Sequence, residues 1–560
     1  MSKTRDRPVS VLIGGGSGIG EACARHLARR GDLVVVIDPG AGVEGEELHE
    51  NTAAMTASAI RRDGGEAIHA ETSVTDRQGL ESLFDQVRCN HGEIGAVVDT
   101  AGILRFPPLV HATQKDWSDV LEVHVSGFLN VLRVALPGMI DSGRGAIVGF
   151  TSGVGLARTS PGNLAYGVAK RAVAGITWEL GSVTPSEVRV NALAPIAGTR
   201  MVRAALVAGG AQPGGVDLTA MPQAEDMAPA VEWLTSERSG WLSGQVIFSA
   251  GSEISLIEPP RLIEACRARD VPDLQTALDT IVPVLLSPAE RSQRTGGGSN
   301  PRMHDAFSDV RARSRPDGRT NWLVVADDPR LSIAIGDAVR PWGHSCIMKT
   351  FGASEGSPAR HPDRFTYAER ELASAEAQGS VGGVICVSNS LNADDDSSAR
   401  WQSVLRSHES VTSAALEHAA WLRAAACLSS RSGRPIRTVH VVRTETPGGR
   451  TLAQSVAQMC RSANQEPTTG QLLAFSVAYE SSTNALPESL GLLIARLGSA
   501  DDTLSLAGAE LLVASDWIGL YSHPTPTLTF TLGAGDIPAG LDSALRRAMG
   551  AGPLSDRDRP

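Results

Sequence analysis

The stretch that constrains this chain most is Val9 to Arg30. Val9 to Ile13 is a short apolar run. Gly14-Gly-Gly-Ser-Gly18-Ile-Gly20 follows, and Glu21 to Arg30 then has a helical pattern, with Ala22, Leu27 and Ala28 apolar. A strand that breaks into glycines and resumes as a helix opens a βαβ unit. Gly14 permits the tight turn, Gly18 the approach of a pyrophosphate to the backbone, and Gly20 close packing of helix on strand. The helix N-terminus, with its unpaired N–H groups, then faces the phosphates. The spacing predicts a dinucleotide site.

The next apolar run, Leu33 to Ile37, ends at Asp38. A carboxylate there can accept from both hydroxyls of an adenosine ribose and repels a 2′-phosphate, so NAD is expected over NADP. Strand and helix patterns then alternate. Asn51 to Arg62 reads as a helix, Ala67 to Ala70 as a strand and Asp76 to Cys89 as a helix. Ala96 to Val98 is a strand leading to Asp99-Thr-Ala-Gly102, and Trp117 to Met139 is a long helix carrying His124. Ala146 to Thr151 and Val188 to Leu193 are strands ending at Ser152 and Pro195. Such alternation predicts a doubly wound parallel sheet. Ligands in these sheets lie beyond the carboxyl ends of the strands. Gly14, Asp38, Gly102, Ser152 and Pro195 all fall at such ends.

Ser152, Tyr166 and Lys170 are the candidate chemical groups. Tyr166 and Lys170 stand at i and i+4, on one helix face. A phenol beside an ammonium is easier to ionise, which would make Tyr166 an acid/base at neutral pH with Ser152 holding a substrate oxygen. The chain has only four lysines, Lys3, Lys115, Lys170 and Lys349, so a lysine in this place carries information.

Composition narrows the setting. The 560 residues suffice for two to four domains, and 42% hydrophobic content suits a globular chain. A net charge of −11 argues against nucleic acid or an anionic membrane as main partner. Seven scattered cysteines without a CxxC argue against disulfides and a zinc site, so no metal is expected. Met1 to Val9 has no apolar core like a signal peptide's, and Val120 to Ile140 is interrupted by Glu122, His124 and Arg133. A cytoplasmic location is expected, and the arginine-over-lysine bias suggests a bacterial source.

Residues 8 to about 255 resemble a short-chain dehydrogenase/reductase. The resemblance rests on Gly14, Gly18 and Gly20, the Ala101-Gly102 turn, Ser152, the Tyr166/Lys170 pair, and Arg189-Val-Asn-Ala-Leu-Ala-Pro195 with Thr199. Ala101-Gly-Ile-Leu-Arg105, His124-Val-Ser-Gly127 and Ala194-Pro-Ile-Ala-Gly-Thr-Arg-Met201 look like the (3R)-hydroxyacyl-CoA dehydrogenase domain of multifunctional enzymes. The resemblance implies a NAD(H)-dependent oxidoreductase interconverting a secondary alcohol and a ketone. Candidate substrates are a 3-hydroxyacyl thioester, a steroid or a polyketide-like carbonyl. It implies that Tyr166 exchanges the proton, Lys170 binds the nicotinamide ribose, Ser152 positions the substrate oxygen and Thr199 holds the carboxamide. Ser17, Ile19, Ser73, Val74, Ala101, Gly102 and Ile196 complete the implied cofactor site. Three departures stand out. Ser152 lies 14 residues before Tyr166, one more than is usual in the family. Asp99-Thr100 replaces the family's Asn-Asn, and His124 takes the place of a relay asparagine. The other reading is a non-catalytic NAD-binding scaffold or sensor. Thr199 to Gln223, rich in small residues, reads as a substrate lid or a plain loop.

The second half repeats the order of elements. Leu323 to Gly343 overlays Val11 to Gly31, Gly383 to Ser388 overlays Gly95 to Thr100, and Trp401 to His408 overlays Trp117 to His124. Gly14, Gly18 and Gly20 correspond there to Ala326, Arg330 and Ser332. The expectation is two tandem Rossmann-type sheets, the second a degenerate copy that neither binds NAD nor catalyses. The expected parts are a catalytic domain at 1–290, a flexible linker at 291–320, a degenerate domain at 321–550 and a disordered tail at 551–560. The long helices Trp117–Met139 and Trp401–Arg423 are expected to join the halves as a pseudo-dimer within one chain, which could itself pair as a homodimer.

Overall fold

The computed structural model describes residues 7–550 apart from 49, 157–161, 211–216, 268–270, 277–293, 296–297, 300–319, 343, 351–362, 390–398, 482–486, 500–502, 504–505, 516, 533–536 and 539. Most of the expected linker and all of the expected tail lie outside the described residues.

The first sheet is built from β1 (Val9–Ile13), β2 (Leu33–Ile37), β3 (Glu66–Ala70), β4 (Ile94–Asp99), β5 (Gly145–Phe150), β6 (Val188–Pro195), β7 (Val246–Ser249) and β8 (Glu253–Glu258). Between them run α1 (Gly18–Arg30), α2 (Thr52–Arg62), α3 (Arg77–His91), α4 (Gln114–Leu121), α5 (Gly127–Asp141), α6 (Leu164–Gly181), α7 (Arg200–Ala208) and α8 (Ala228–Thr235). The β1, β2, β4 and β5 runs are buried along most or all of their length, as strands covered on both faces must be. Asn51 and Asp76 cap α2 and α3 with side-chain acceptors, which sets those starts one residue after the sequence reading. The long helix expected from Trp117 is α4 and α5 joined through a widened π-type turn, Glu122–Ser126. Gln114–Asp141 is long and apolar enough to cross a membrane by length and composition, and it is mostly buried inside the protein.

The second sheet follows β9 (Leu262–Arg267) and a short helix, α9 (Val271–Thr276). Its strands are β10 (Asn321–Ala326), β11 (Ser345–Thr350), β12 (Val381–Ser388), β13 (Ile436–Arg443), β14 (Leu472–Glu480), β15 (Glu510–Ala514) and β16 (Trp517–Tyr521). Its helices are α10 (Pro329–Val339), α11 (Arg364–Gln378), α12 (Arg400–Ser407), α13 (Val411–Ser432), α14 (Pro447–Gln465) and α15 (Glu488–Ser499). A last strand, β17 (Thr525–Thr531), and α16 (Gly540–Ala548) close the described chain.

The sheet orders are β17-β8-β7-β6-β5-β4-β1-β2-β3 and β11-β10-β12-β13-β14-β15-β16-β9 among the described residues. Both are parallel through their middles and antiparallel at one end. The expected cut at 290 does not follow these sheets. β9 leaves the first half and pairs with β16, Cys266 opposite Ile518. β17 returns from the second half and pairs with β8, Phe530 opposite Ile254. Each unit thus covers an open edge of the other, where unpaired N–H and C=O groups would otherwise face water.

The helices of the two units pack into one apolar core that includes Leu132, Val173 and Ile176 from the first and Trp421, Leu452 and Val456 from the second. The segments that hold the long helices touch, with Ser126 Oγ 3.2 Å from Thr412 Oγ1 and Arg133 paired to Glu409 at 2.9 Å. The closest seam, however, is α6 against α14. A Cβ on Gly175 would lie 2.8 Å from Thr451 Oγ1, so the helices approach through glycine. Glycine on one side of a helix pair shortens the interaxial distance that larger side chains would set.

Candidate active site

A cleft of about 820 Å³ runs along the carboxyl ends of β1, β2, β4, β5 and β6. Gly14, Ser17, Gly18, Ile19, Gly20, Asp38, Ser73, Val74, Ala101, Gly102, His124, Tyr166, Lys170 and Thr199 all line it. Ile196 does not. Its N–H donates to Ser249 O at 2.9 Å, and its side chain packs beside Ala192 and Val246 on the sheet. Ser152 is not among the lining residues, but it is close enough to the Tyr166 phenol to favour its ionised form. The sequence reading missed Arg200, which lines the cleft and donates to Ser17 Oγ at 2.8 Å. Its position one residue after Thr199, the N-cap of α7, was the available signal.

The cradle is built from backbone. Gly14 turns with φ +74° and Gly18 with φ +56°, conformations that side chains disfavour. A Cβ on Gly14 would lie 2.7 Å from Ala101 N, and one on Gly20 would overlap the Gly14 carbonyl oxygen. Thr100 Oγ1 ties the loops together by donating to Ile13 O at 2.8 Å. Asp38 is fixed at the far end, accepting from Gly16 N at 2.9 Å, Gly40 N at 2.8 Å and Thr52 Oγ1 at 3.2 Å. Open backbone N–H groups at the α1 terminus beside bare glycine Cα atoms fit a pyrophosphate.

The reacting end is deeply buried. Lys170 Nζ donates to Phe150 O at 2.7 Å and lies 5.5 Å from the Tyr166 ring centre. Burial pulls its ammonium down to about 8, while Asp99 holds it up. Burial pushes the Asp99 carboxyl up to about 6, against the pull of Lys170 and the Ala101 N–H. Asp99, which replaces the family's asparagine, therefore has the partners that a buried carboxylate requires.

Tyr166 departs from the sequence expectation. Burial pushes its phenol up to about 12, and only the Ser152 hydrogen bond opposes this. The Lys170 ammonium is directed at a backbone carbonyl, so it does little for the phenolate. His124 stands edge-on to Tyr166, ring centres 5.2 Å apart. Its Nε2 meets the backbone of Ile103, 2.9 Å from the oxygen and 3.2 Å from the nitrogen, while the buried Nδ1 has no partner among the described residues. Burial first, and Lys170 next, keep this imidazole neutral.

A glycine cradle leading to a Ser–Tyr–Lys group defines a nucleotide-dependent oxidoreductase. The short chain dehydrogenase family pattern matches residues 8–206. A short-chain type dehydrogenase/reductase of Mycobacterium tuberculosis is 34% identical over 204 residues, 36% of this chain and 71% of the relative. The mouse peroxisomal multifunctional enzyme type 2 is 31% identical over 233 residues, 41% of this chain and 30% of that enzyme. The N-domain of a bacterial malonyl-CoA reductase, solved with NADP, is similar in fold across 90% of this chain and 97% of its own, with TM-score 0.64 at 15% identity. The chain belongs to the short-chain dehydrogenase/reductase family, whose members depend on a nicotinamide cofactor and act on small molecules.

Proposed function

We propose that the first unit is a NAD(H)-dependent oxidoreductase interconverting a secondary alcohol and a ketone, with Tyr166 as acid/base. The observation that carries this is Tyr166, beside Ser152 and flanked by Lys170, on the wall of the glycine-lined cleft. Gly14, Gly18, Gly20 and the α1 N-terminus would hold the pyrophosphate, Asp38 the adenosine ribose and Lys170 the second ribose. The bound nicotinamide supplies or takes the hydride. Tyr166, protonated at neutral pH, would give its proton to the carbonyl oxygen that Ser152 orients. His124 and Lys170 bound the same space. A 3-hydroxyacyl thioester, a steroid or a polyketide-like ketone are the substrates to screen first. Tyr166→Phe should lower turnover by about 100-fold or more while leaving NADH affinity unchanged. Unaltered turnover would refute the role assigned to Tyr166, whereas NADH binding with no turnover of any candidate by the wild type would favour a nucleotide-binding scaffold.

Asp38 supports NAD over NADP. The carboxylate is fixed in the cleft, and no Lys or Arg occurs between it and Arg61 to receive a 2′-phosphate. Fluorescence titration should show NADH binding more tightly than NADPH, and the reverse order would overturn this assignment.

The second unit reads as a duplicate that has lost its site. Its order β11-β10-β12-β13-β14-β15-β16 repeats β2-β1-β4-β5-β6-β7-β8, without a counterpart of β3 among the described residues. Asp328 caps α10 with its own carboxylate, where a phosphate would need open N–H groups. Tyr479 is buried with its hydroxyl on Asn389 Oδ1 at 2.9 Å, filling the crevice beyond the strands. The unit then serves as a built-in partner subunit, with Gln458 Nε2 donating to Val154 O at 2.8 Å and Glu466 accepting from Gly162 N at 2.8 Å.

A further inference from the structure

A second cavity, about 290 Å³, lies where the units meet, remote from the nucleotide cleft. Its walls are the last turn of α6, the Pro259–Pro260 link, α14 and β13 to β15. Three of its lining side chains carry a buried polar atom with no hydrogen-bond partner among the described residues. They are Trp178 Nε1, His440 Nε2 and Gln454 Oε1. An indole N–H can only donate and an amide oxygen can only accept. Buried polar atoms are nearly always paired, so three on the wall of one cavity point to a missing occupant.

His440 has no other use for its Nε2. Its Nδ1 meets His418 Nδ1 at 3.0 Å, and His418 Nε2 meets Ser388 Oγ at 3.0 Å. Cys386 lies close to both rings, all three ligand atoms falling within 4.8 Å of one another. The ring centres are 5.2 Å apart, so the two Nδ1 atoms meet nearly head-on and share one proton. A cation would need them to converge beside each other. Burial holds the His440 imidazole down at about 3, so it stays uncharged at neutral pH.

The buried charges around the cavity are already matched, and Glu480 stands exposed at its rim. Arg450 grips Glu179 at two points, 2.7 and 2.6 Å, and Glu510 is met by Arg171 and Arg461 at 3.0 Å each. Between the polar atoms the wall is aliphatic, including Val456 and Leu512. Inside the wall an ion would have to compete with these pairs, whereas an uncharged molecule with apolar faces and one polar edge fits.

We propose that this cavity binds a small uncharged ring compound carrying an amide or lactam edge. Its carbonyl accepts from Trp178 Nε1, its N–H donates to Gln454 Oε1, and His440 Nε2 completes the edge. The site is independent of the reading of the nucleotide cleft.

Benzamide is the probe, with benzoate and benzylammonium as charged controls. Saturation-transfer NMR on the full chain with excess NADH keeps the nicotinamide pocket out of the measurement. Benzamide should bind and the two ions should not. Trp178→Phe and Gln454→Leu should each weaken benzamide about tenfold. Absence of benzamide binding, displacement by NADH, or equal affinity in both variants would overturn the proposal. If the variants do not fold, the wild-type His440 ring resonance decides. It should shift with benzamide and not with benzoate, and an unmoved resonance would overturn the site.

Discussion

Lys170 sets the character of the active site through what it touches. It sits between a backbone carbonyl, a buried carboxyl and the face of Tyr166. Asp99 titrates near 6 in the fold against an ordinary 3.8. Between those values the folded chain keeps a proton that the unfolded chain has lost, so Asp99 makes stability fall as pH rises through this window. Asp99→Asn removes that slope. Melting curves at about pH 4.5 and about pH 6.5 should show the variant gaining on the wild type at the higher pH. Parallel profiles would mean that the carboxyl is ionised throughout. Most site residues were legible because glycine spacing and an i, i+4 pair are local signals. The Tyr166 ionisation state was not. It depends on burial and on where an ammonium points, and neither is written in the spacing. The direction of the Ile196 side chain was not legible for a similar reason, since a strand-end residue faces cleft or core according to a register that the sequence does not state.

At the scale of elements, the catalytic helix is held from outside its own sheet. Gln458, fully buried on α14, supports the Val154 carbonyl in the turn that bears Ser152. Gln458→Leu would leave that carbonyl unpaired and should lower stability by about 1–3 kcal/mol in a denaturant titration. An unchanged midpoint would show that water replaces the amide. Arg171, next to Lys170, reaches Glu510 across the seam at 3.0 Å. Burial opposes that carboxylate, yet Arg171, His523 and Arg461 hold it down at about 2. The alternation of strands and helices could be read from hydrophobic runs, and both sheets follow it. The choice of α6 and α14 as the closest seam could not, because it depends on Gly175 facing Thr451, a contact between residues far apart in the chain.

On the scale of the whole molecule, the exchange of β9 and β17 makes the two units one folding body. The halves expected from the sequence would each lack an edge strand and expose the α6–α14 seam. Residues 1–290 and 321–550, expressed separately, should aggregate or elute as oligomers on size exclusion. A soluble monomeric 1–290 that binds NADH would show that the exchange is dispensable. The sequence concealed this exchange because an edge strand carries no label for the sheet it will join, and Leu262–Arg267 and Thr525–Thr531 follow the strands before them closely.

The crossed strands also set a timetable for the chain as it leaves the ribosome. The nucleotide cleft is encoded almost entirely in the first 201 residues, yet the strand bordering β8 arrives only at residues 525–531. At roughly 5–20 residues per second, the early sheet waits on the order of tens of seconds for its border. Throughout that interval its β8 edge is open to neighbours. A nascent chain of this kind would draw on chaperones early, and a truncation near the C-terminus would damage the part made first.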